Sequence, residues 1–313
     1  MKRLKAPALR TNGETKKKRL KAPALRTNKA QLYFWIYLFL LPCVFIFLAF
    51  YLMPIVTVVV TSFCQWDGFN APKFDGLANY TKMFQNKIFY QSLWNLLGWA
   101  FIAATLHVGF GILMAFIFRE KPKGWRFTQV VFMIPNVISV AAWSMIYKYF
   151  FRNDIGMLNS IIRIFDPDFA CDWFFQKPEA FWAITLTWLF YAVIVTLLVQ
   201  GDLMAIPEQL HEAATLDGAS KWQQIMRIDL PLCRNAIGTG VICSITARIA
   251  MYEAIYLTTN GAGETMNLPV ILVRAIQDGK YGTANAYGVV MLVLGLLTLL
   301  IVNRLFRMDE PVY

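Results

Sequence analysis

Apolar residues in this chain are gathered into blocks of about twenty or more, separated by shorter polar segments. Six blocks stand near 33–61, 93–118, 127–150, 180–200, 236–258 and 285–306. A helix needs about 20 apolar residues to cross a hydrocarbon core of ~30 Å. The pattern therefore predicts an all-α membrane protein with six transmembrane helices. The first block is the longest and contains Pro42 and Pro54, expected as kinks because membrane helices tolerate proline.

Composition agrees with that pattern. Hydrophobic residues make up 58% of the 313 and charged residues only 16%, where an average soluble domain is about a quarter charged. The formal charge of +11 is unevenly spread. Residues 1–29 carry eleven Lys and Arg against Glu14 alone, while the rest is nearly balanced, with 19 basic and 18 acidic residues. The basic character thus belongs to the N-terminal tail. Such a tail beside a first span stays cytoplasmic and sets orientation, so no nucleic-acid partner is expected.

An even number of spans then puts both termini on the cytoplasmic side. With that topology the inner segments hold 20 Lys and Arg and the outer ones 8, although without the tail the balance is 9 to 8. The tail itself repeats KRLKAPALRTN at 2–12 and 18–28. Two copies of a basic polar segment bury no core, so 1–29 reads as a disordered, low-complexity extension. It lacks a secretory-signal pattern, since the apolar run after it is too long and has no small-residue cleavage site.

Cysteine and histidine offer little chemistry. The five cysteines show no metal-binding spacing, and His107 and His211 are the only histidines, so no metal site is expected. Cys64 and Cys171 both fall on the expected outer side, which leaves a bridge between them open. Trp173, Phe174 and Phe175 in the outer loop 151–179 read as interfacial aromatics.

The longest inner loop, 202–231, reads DLMAIPEQLHEAATLDGASKWQQIMRIDLP. Pro207 suits the first helical position, and Glu208 the first turn, where the helix dipole favours an anion. That helix should stop at Asp217-Gly218, a turn pair. Ser220 and Gln223 match a capping box for a second helix through Trp222, Ile225 and Met226, closed by Pro231. The loop is thus a bent two-helix element. Its apolar residues fit a docking surface or an amphipathic face packed on its own bundle.

These residues resemble a family. The permease subunits of binding-protein-dependent ABC importers carry Glu-Ala-Ala, three residues, Gly, nine residues, then Ile-x-Leu-Pro. Here Glu212, Ala213, Ala214, Gly218, Ile228, Leu230 and Pro231 stand at those spacings, and Asp217, Ala219, Ser220 and Trp222 extend the match toward the sugar-importer branch, the maltose/glycerol-phosphate type. The resemblance covers nearly all of 33–308. GLANY at 76–80, MIPNVIS at 133–139 with Trp143, GMLNSII at 156–162 and TNGAGETMNLP at 259–269 each resemble family segments. At Gly261-Ala262-Gly263 the family usually has Gly-Gly-Pro, a departure in the local turn.

The resemblance implies a type I importer permease fold in a bacterial cytoplasmic membrane. It implies a second homologous permease subunit, two ATPase subunits and an extracytoplasmic solute-binding protein as partners. The 202–231 loop would dock on the ATPase as a coupling helix. ATP and Mg would be bound by that ATPase, because this chain has no GxxxxGK[ST] phosphate loop and needs no cofactor or catalytic residue of its own.

Polar residues inside spans are candidates for the solute pathway. Arg248 falls near the middle of the fifth block, and Tyr252 and Tyr256 follow at intervals of four, on one face of a continuous helix. Glu253 lies about 140° around from Arg248, given 3.6 residues per turn, so the two should not pair within the helix. Aromatic stacking and charged hydrogen bonding suit a sugar. A structural pairing of Arg248 with the partner permease fits the same residues. Asn136, Ser139 and Trp143 in the third block are further candidates. A self-contained secondary transporter would show inverted repeats and matching broken spans, and a membrane enzyme a concentrated catalytic set; neither is visible in the sequence. The alternative solute within the family is glycerol phosphate or another acidic polyol, which Arg248 would complement.

Overall fold

The computed structural model describes residues 29–308, so the tail expected over 1–29 lies outside the described residues apart from Lys29. The chain divides into two units at Pro54/Ile55. In the first, α1 (Lys29–Phe47) passes into a π turn, Leu48–Leu52. Its sequence is apolar on every side, so no face is suited to water. Helix α2 (Met53–Thr61) begins at the boundary and carries the second unit's chain forward.

Among its described residues the second unit is helical apart from one small hairpin. Strands β1 (Cys64–Gln65) and β2 (Lys73–Phe74) pair antiparallel, with Cys64 opposite Phe74 and Gln65 opposite Lys73. Next come α3 (Ala78–Gln85), α4 (Lys87–Ile102), a π turn at Ala103–His107 and α5 (Val108–Arg119). The chain continues through α6 (Trp125–Val137), α7 (Val140–Phe150), α8 (Met157–Ile162), α9 (Glu179–Leu189) and α10 (Val193–Ala205). Helices α11 (Glu208–Leu216), α12 (Lys221–Gln224) and α13 (Leu230–Leu232) precede α14 (Arg234–Ile249), α15 (Glu253–Leu257), α16 (Leu268–Gln277) and α17 (Tyr281–Phe306).

Four of the six expected spans are helices long and apolar enough to cross a membrane: 31–61, 87–119, 179–205 and 281–306. The other two differ from expectation. The 127–150 block is two helices, α6 and α7, bent by 101°. Ser139 causes the restart, its extended backbone and side chain capping Ala142 N–H at 3.3 Å. The 236–258 block is also divided. Helix α14 has 16 residues, about 24 Å at 1.5 Å per residue, and stops at Ala250 before α15 begins at Glu253.

Two prolines are accommodated by the same device. Proline lacks an N–H, and its ring clashes with the carbonyl four residues earlier. For Pro54 and Pro231 those carbonyls belong to Phe50 and Arg227, each inside a π turn. There Met53 N–H reaches back to Leu48 O and Leu230 N–H to Ile225 O, five residues instead of four. The wider turn makes room for the ring, so Pro231 does not close its helix as expected. Helix α13 carries it onward to Leu232.

Helices α5 and α10 meet closely at Gly111, where a Cβ would lie 2.7 Å from Val195 Cβ. Thr196 Oγ1 bridges the pair, donating to Gly111 O at 3.0 Å. Around this contact Val108, Ala115, Val195, Val199, Cys233 and Val241 form one buried cluster. A second joins Trp99, Phe151, Ile184, Trp188, Ile255 and Val270. Cys64 and Cys171 are free thiols, both buried.

Three buried asparagines staple the irregular segments. Asn79 donates to Ser62 O and Cys64 O at 2.9 Å and accepts from Thr283 Oγ1 at 2.9 Å. Asn159 donates to Cys171 O at 2.8 Å and accepts from Trp173 Nε1 at 2.6 Å. Asn267 donates to Met251 O and caps α16 by accepting from Val270 N–H at 3.1 Å. Each satisfies backbone carbonyls that a buried loop would otherwise leave orphaned. Trp173 and Phe174, expected at an interface, are drawn into this packing: Phe174 is buried and Trp173 half-buried.

Candidate functional site

The residues between α10 and α14 fold into a two-armed element. Pro207 is the N-cap of α11, one position earlier than expected, with Glu208 opening the helix. Glu212 and Ala213 are exposed on α11, and Ala214 is half-buried. Asp217 is the C-cap and Gly218 follows at φ +80°. Gly218 N–H bonds Thr215 O at 3.0 Å and Ala219 N–H bonds Ala214 O at 2.9 Å, the double closure of a Schellman motif. Only glycine takes that left-handed φ without strain.

The second arm starts where the sequence predicts. Ser220 Oγ accepts from Gln223 N–H at 3.3 Å and Gln223 Oε1 from Ser220 N–H at 2.7 Å, a complete capping box. Gln224 Nε2 donates to Thr215 Oγ1 at 3.0 Å and Ala219 O at 3.3 Å, joining the arms near their bend. Ile228 and Leu230 are half-buried, and Leu230 packs on the α5–α10–α14 cluster. The bend stays open: Leu216 is 89% exposed and Trp222 68%. Large apolar side chains held rigidly outward mark a surface awaiting a partner.

Sequence reasoning missed what holds the base of this element. Asp229, 1% exposed, pairs with Arg119 Nη1 through Oδ2 at 2.8 Å. Its Oδ1 lies 2.8 Å from His211 Nε2. Arg119 Nη2 lies 3.1 Å from the same imidazole nitrogen. One nitrogen cannot donate to the carboxylate and accept from the guanidinium at once, and the buried anion selects the donating form. The clues were present: Arg119 ends its apolar block, and Asp229 interrupts the apolar pair Ile228 and Leu230. Nearby, burial pushes the Cys233 thiol up to about 12, with Asp202 and Asp229 adding to the effect.

A cavity of about 430 Å³ opens between α7, α9, α14 and α15, within the ~300–1,000 Å³ usual for small-molecule sites. Trp143, Arg248, Tyr252 and Glu253 line it, so four of the residues singled out in the sequence do meet. Trp188 and Tyr191, which sequence reasoning passed over, complete its aromatic wall. Arg248 lies over the Trp188 ring, 4.2 Å from the centroid, a cation–π arrangement. Its Nη1 also lies 3.6 Å from Met251 Sδ. Among the described residues no carboxylate is within ion-pair distance of it. Trp143 Nε1 donates to Thr187 O at 2.7 Å, which fixes the indole plane.

The expected helical face is not formed. Arg248 occupies the last turn of α14 and not mid-helix. Tyr252 and Tyr256 lie beyond the break, and their rings stack at 5.1 Å. Arg248 and Tyr252 meet because the chain turns at Ala250–Tyr252. Tyr256 and Asn136 do not line the cavity, and Asn136 is exposed near the end of α6.

A family model described as "Binding-protein-dependent transport system inner membrane component" matches residues 107–311. The chain is 29% identical over 280 residues to "Probable ABC transporter permease protein YurN" of Bacillus subtilis (strain 168), covering 87% of this chain and 95% of that one. It is 27% identical over 266 residues to "Trehalose/maltose transport system permease protein MalF" of Thermococcus litoralis, covering 82% and 88%. In fold it is similar to a chain of a bacterial ABC transporter involved in the import of the acidic polysaccharide alginate. The TM-score there is 0.73 at 21% identity, covering 90% of this chain and 98% of that one.

Proposed function

Because this chain belongs to the inner-membrane components of binding-protein-dependent transport systems, we propose that it is a sugar-passing permease subunit whose two-armed element, 208–232, docks on a separate ATPase. The chain is an integral membrane protein and a transport subunit. Six crossings follow if the bent pair α6–α7 and the pair α14–α15 each count as one. The basic tail then holds both termini in the cytoplasm, with the two-armed element on the same side. Partners are a second permease of the same kind, two ATPase subunits that bind ATP and Mg, and an extracytoplasmic solute-binding protein.

One observation carries the docking role. Glu212, Ala213, Ala214, Asp217, Gly218, Ala219, Ile228, Leu230 and Pro231, at the family's spacing, build a rigid bend that turns Leu216 and Trp222 outward. An amphipathic loop packed on its own bundle would turn those side chains inward. The solute pathway passes the cavity of Trp143, Arg248, Tyr252 and Glu253, where flat aromatic faces and charged hydrogen-bonding groups suit a hydroxyl-rich ring. Relatives named for trehalose, maltose and maltodextrin support a sugar as solute. A second reading rests on Arg248, which among the described residues has no carboxylate within ion-pair distance: glycerol phosphate or another acidic polyol would supply the anion.

The test is to purify the complex and reconstitute it with its binding protein in liposomes. ATP-dependent uptake of a labelled neutral sugar is expected. Uptake of an acidic polyol alone replaces the solute. Uptake by this chain without an ATPase contradicts the reading.

A further inference from the structure

The cluster of Arg119, His211 and Asp229 takes one residue from each of three elements: the end of α5, the first arm and the second arm. Residues 211 and 229 lie on either side of the bend at Gly218, so the Asp229 carboxylate closes the base of the element as Gly218 closes its apex. The carboxylate itself is buried, next to Leu230, which packs on the apolar cluster. Asp229 is 1% exposed and reaches both partners at 2.8 Å. The cluster thus fastens the arms to each other and to α5 at their base, beside the Gln224 contacts near the bend and the packing of Leu230.

We infer that Asp229, with Arg119 and His211, is the positioning cluster that carries movement of the two-armed element into the helix pair α4–α5. The inference rests on the docking role proposed above. Three features support a transmitting role over simple anchoring. First, the exposed ion pair between Glu120 and Lys221, 3.8 Å apart, also links α5's end to the second arm, but exposed pairs of that kind hold little. The buried carboxylate is therefore the strong polar link between α5 and the arms, beside the apolar packing of Leu230. Second, Arg119 is the last residue of α5, and α5 meets α10 at the Gly111–Val195 contact, where no slack exists. A pull on Arg119 is thus felt along the helix. Third, the π turn Ile225–Asp229 ends at Asp229. Such turns are rare and gather at functional sites, and this one sets Asp229 at the junction of the second arm with α13.

The guanidinium makes a charge-assisted contact with one carboxylate oxygen, and the imidazole occupies the other. Neutral Asn in place of Asp229 keeps the size and one acceptor but removes the charge that holds both partners. The arms would then move without pulling α5. ATP would still be hydrolysed, and less solute would cross per cycle.

The experiment measures labelled-solute uptake and ATP hydrolysis together, in liposomes holding the whole complex, for Asp229→Asn, Arg119→Lys, His211→Gln and Leu216→Glu. For Asp229→Asn the solute moved per ATP should fall about tenfold, the ratio one lost charge-assisted contact sets. His211→Gln, which can still donate to the carboxylate, should fall less than Asp229→Asn. Should Asp229→Asn fail to assemble, the Arg119→Lys complex supplies the same reading, because an ammonium on a shorter, differently shaped side chain keeps the charge but not the guanidinium geometry that meets the carboxylate. An unchanged ratio in every assembled cluster variant overturns the inference, as does a loss of uptake strictly proportional to complex yield. If Leu216→Glu, at the exposed face, leaves uptake normal, the docking role itself fails. If Leu216→Glu abolishes uptake and the cluster variants keep a normal ratio, only the transmitting role fails.

Discussion

The two-armed element and the cavity beside Arg248 are built on opposite plans. The element is convex, fixed from within by local hydrogen bonds, and turns its apolar side chains outward. The cavity is concave, assembled from three regions distant in sequence (α7, α9 and the α14–α15 pair), and turns its aromatic side chains inward around Arg248 and Glu253. A convex, pre-set apolar surface suits a protein partner that must grip it repeatedly. A concave aromatic wall suits a small solute that must leave again. Substitutions at the two places should therefore fail differently, one in coupling and the other in passage.

The largest effects are expected at the bend. A glutamate at Leu216, now 89% exposed, would sit in the docking interface, where a central anchor is worth about 2 kcal/mol or more. Leu216→Glu should abolish measurable uptake and release the ATPase during purification. Gly218→Val should come next. It meets open space, so its cost is backbone strain alone, about 1–3 kcal/mol at φ +80° for a β-branched side chain. Uptake should fall steeply while membrane insertion stays normal. Normal uptake by both would remove the docking half of the contrast.

Arg248→Ala tests the other half. Loss of a charge-assisted contact of about 1.5–3 kcal/mol predicts uptake reduced some ten- to hundredfold, with complex yield and ligand capture by the binding protein unchanged. Tyr252→Ala should act in the same direction and less strongly. Tyr256→Ala should act least, because Tyr256 supports Tyr252 from behind the stack and does not line the wall. If Arg248 instead matches a buried carboxylate of the second permease, the complex should fall apart in detergent. Comparing yield with rate separates the two.

How much was legible from sequence follows the same division. The two-armed element was readable because its determinants are local. Gly218 after Asp217, the Ser220–Gln223 capping box and Pro207 all act within a few residues. Its fastening was not readable, because Arg119 and His211 are 92 positions apart and no local rule pairs them. Helix continuity failed for a related reason. Hydropathy counts apolar residues and is blind to where backbone bonding breaks, so α6–α7 and α14–α15 each read as one unbroken helix. That error also misplaced Arg248 at mid-helix and put Tyr256 on its face. The staples Asn79, Asn159 and Asn267 were invisible too. Asparagine signals a loop, and only the folded chain shows which orphaned carbonyl it satisfies.

Smaller effects are expected away from both regions. Asn159→Ala strips Cys171 O and Trp173 Nε1 of their partner and should destabilise by about 1–3 kcal/mol. A lower midpoint in thermal unfolding of the detergent-solubilised complex would show it, with little change in uptake at low temperature. Deleting residues 1–28 should leave uptake per inserted molecule within about twofold, with any loss confined to insertion efficiency. A cleanly inserted but inactive truncation would give the repeated tail a role in the element's own business.

The central claim is that the bend at Gly218 lies against an ATPase. A single cysteine placed by Leu216→Cys addresses it, with wild type as the control for native cysteines; of these Cys43 and Cys243 are exposed, while Cys233 is buried with its thiol pushed up to about 12. A short thiol-to-amine cross-linker is applied to the active complex in membranes, with and without ATP. A band joining this chain to the ATPase, absent in wild type and changing in yield with nucleotide, is expected. A complex that transports normally, yet never links position 216 to the ATPase in either state, would contradict it.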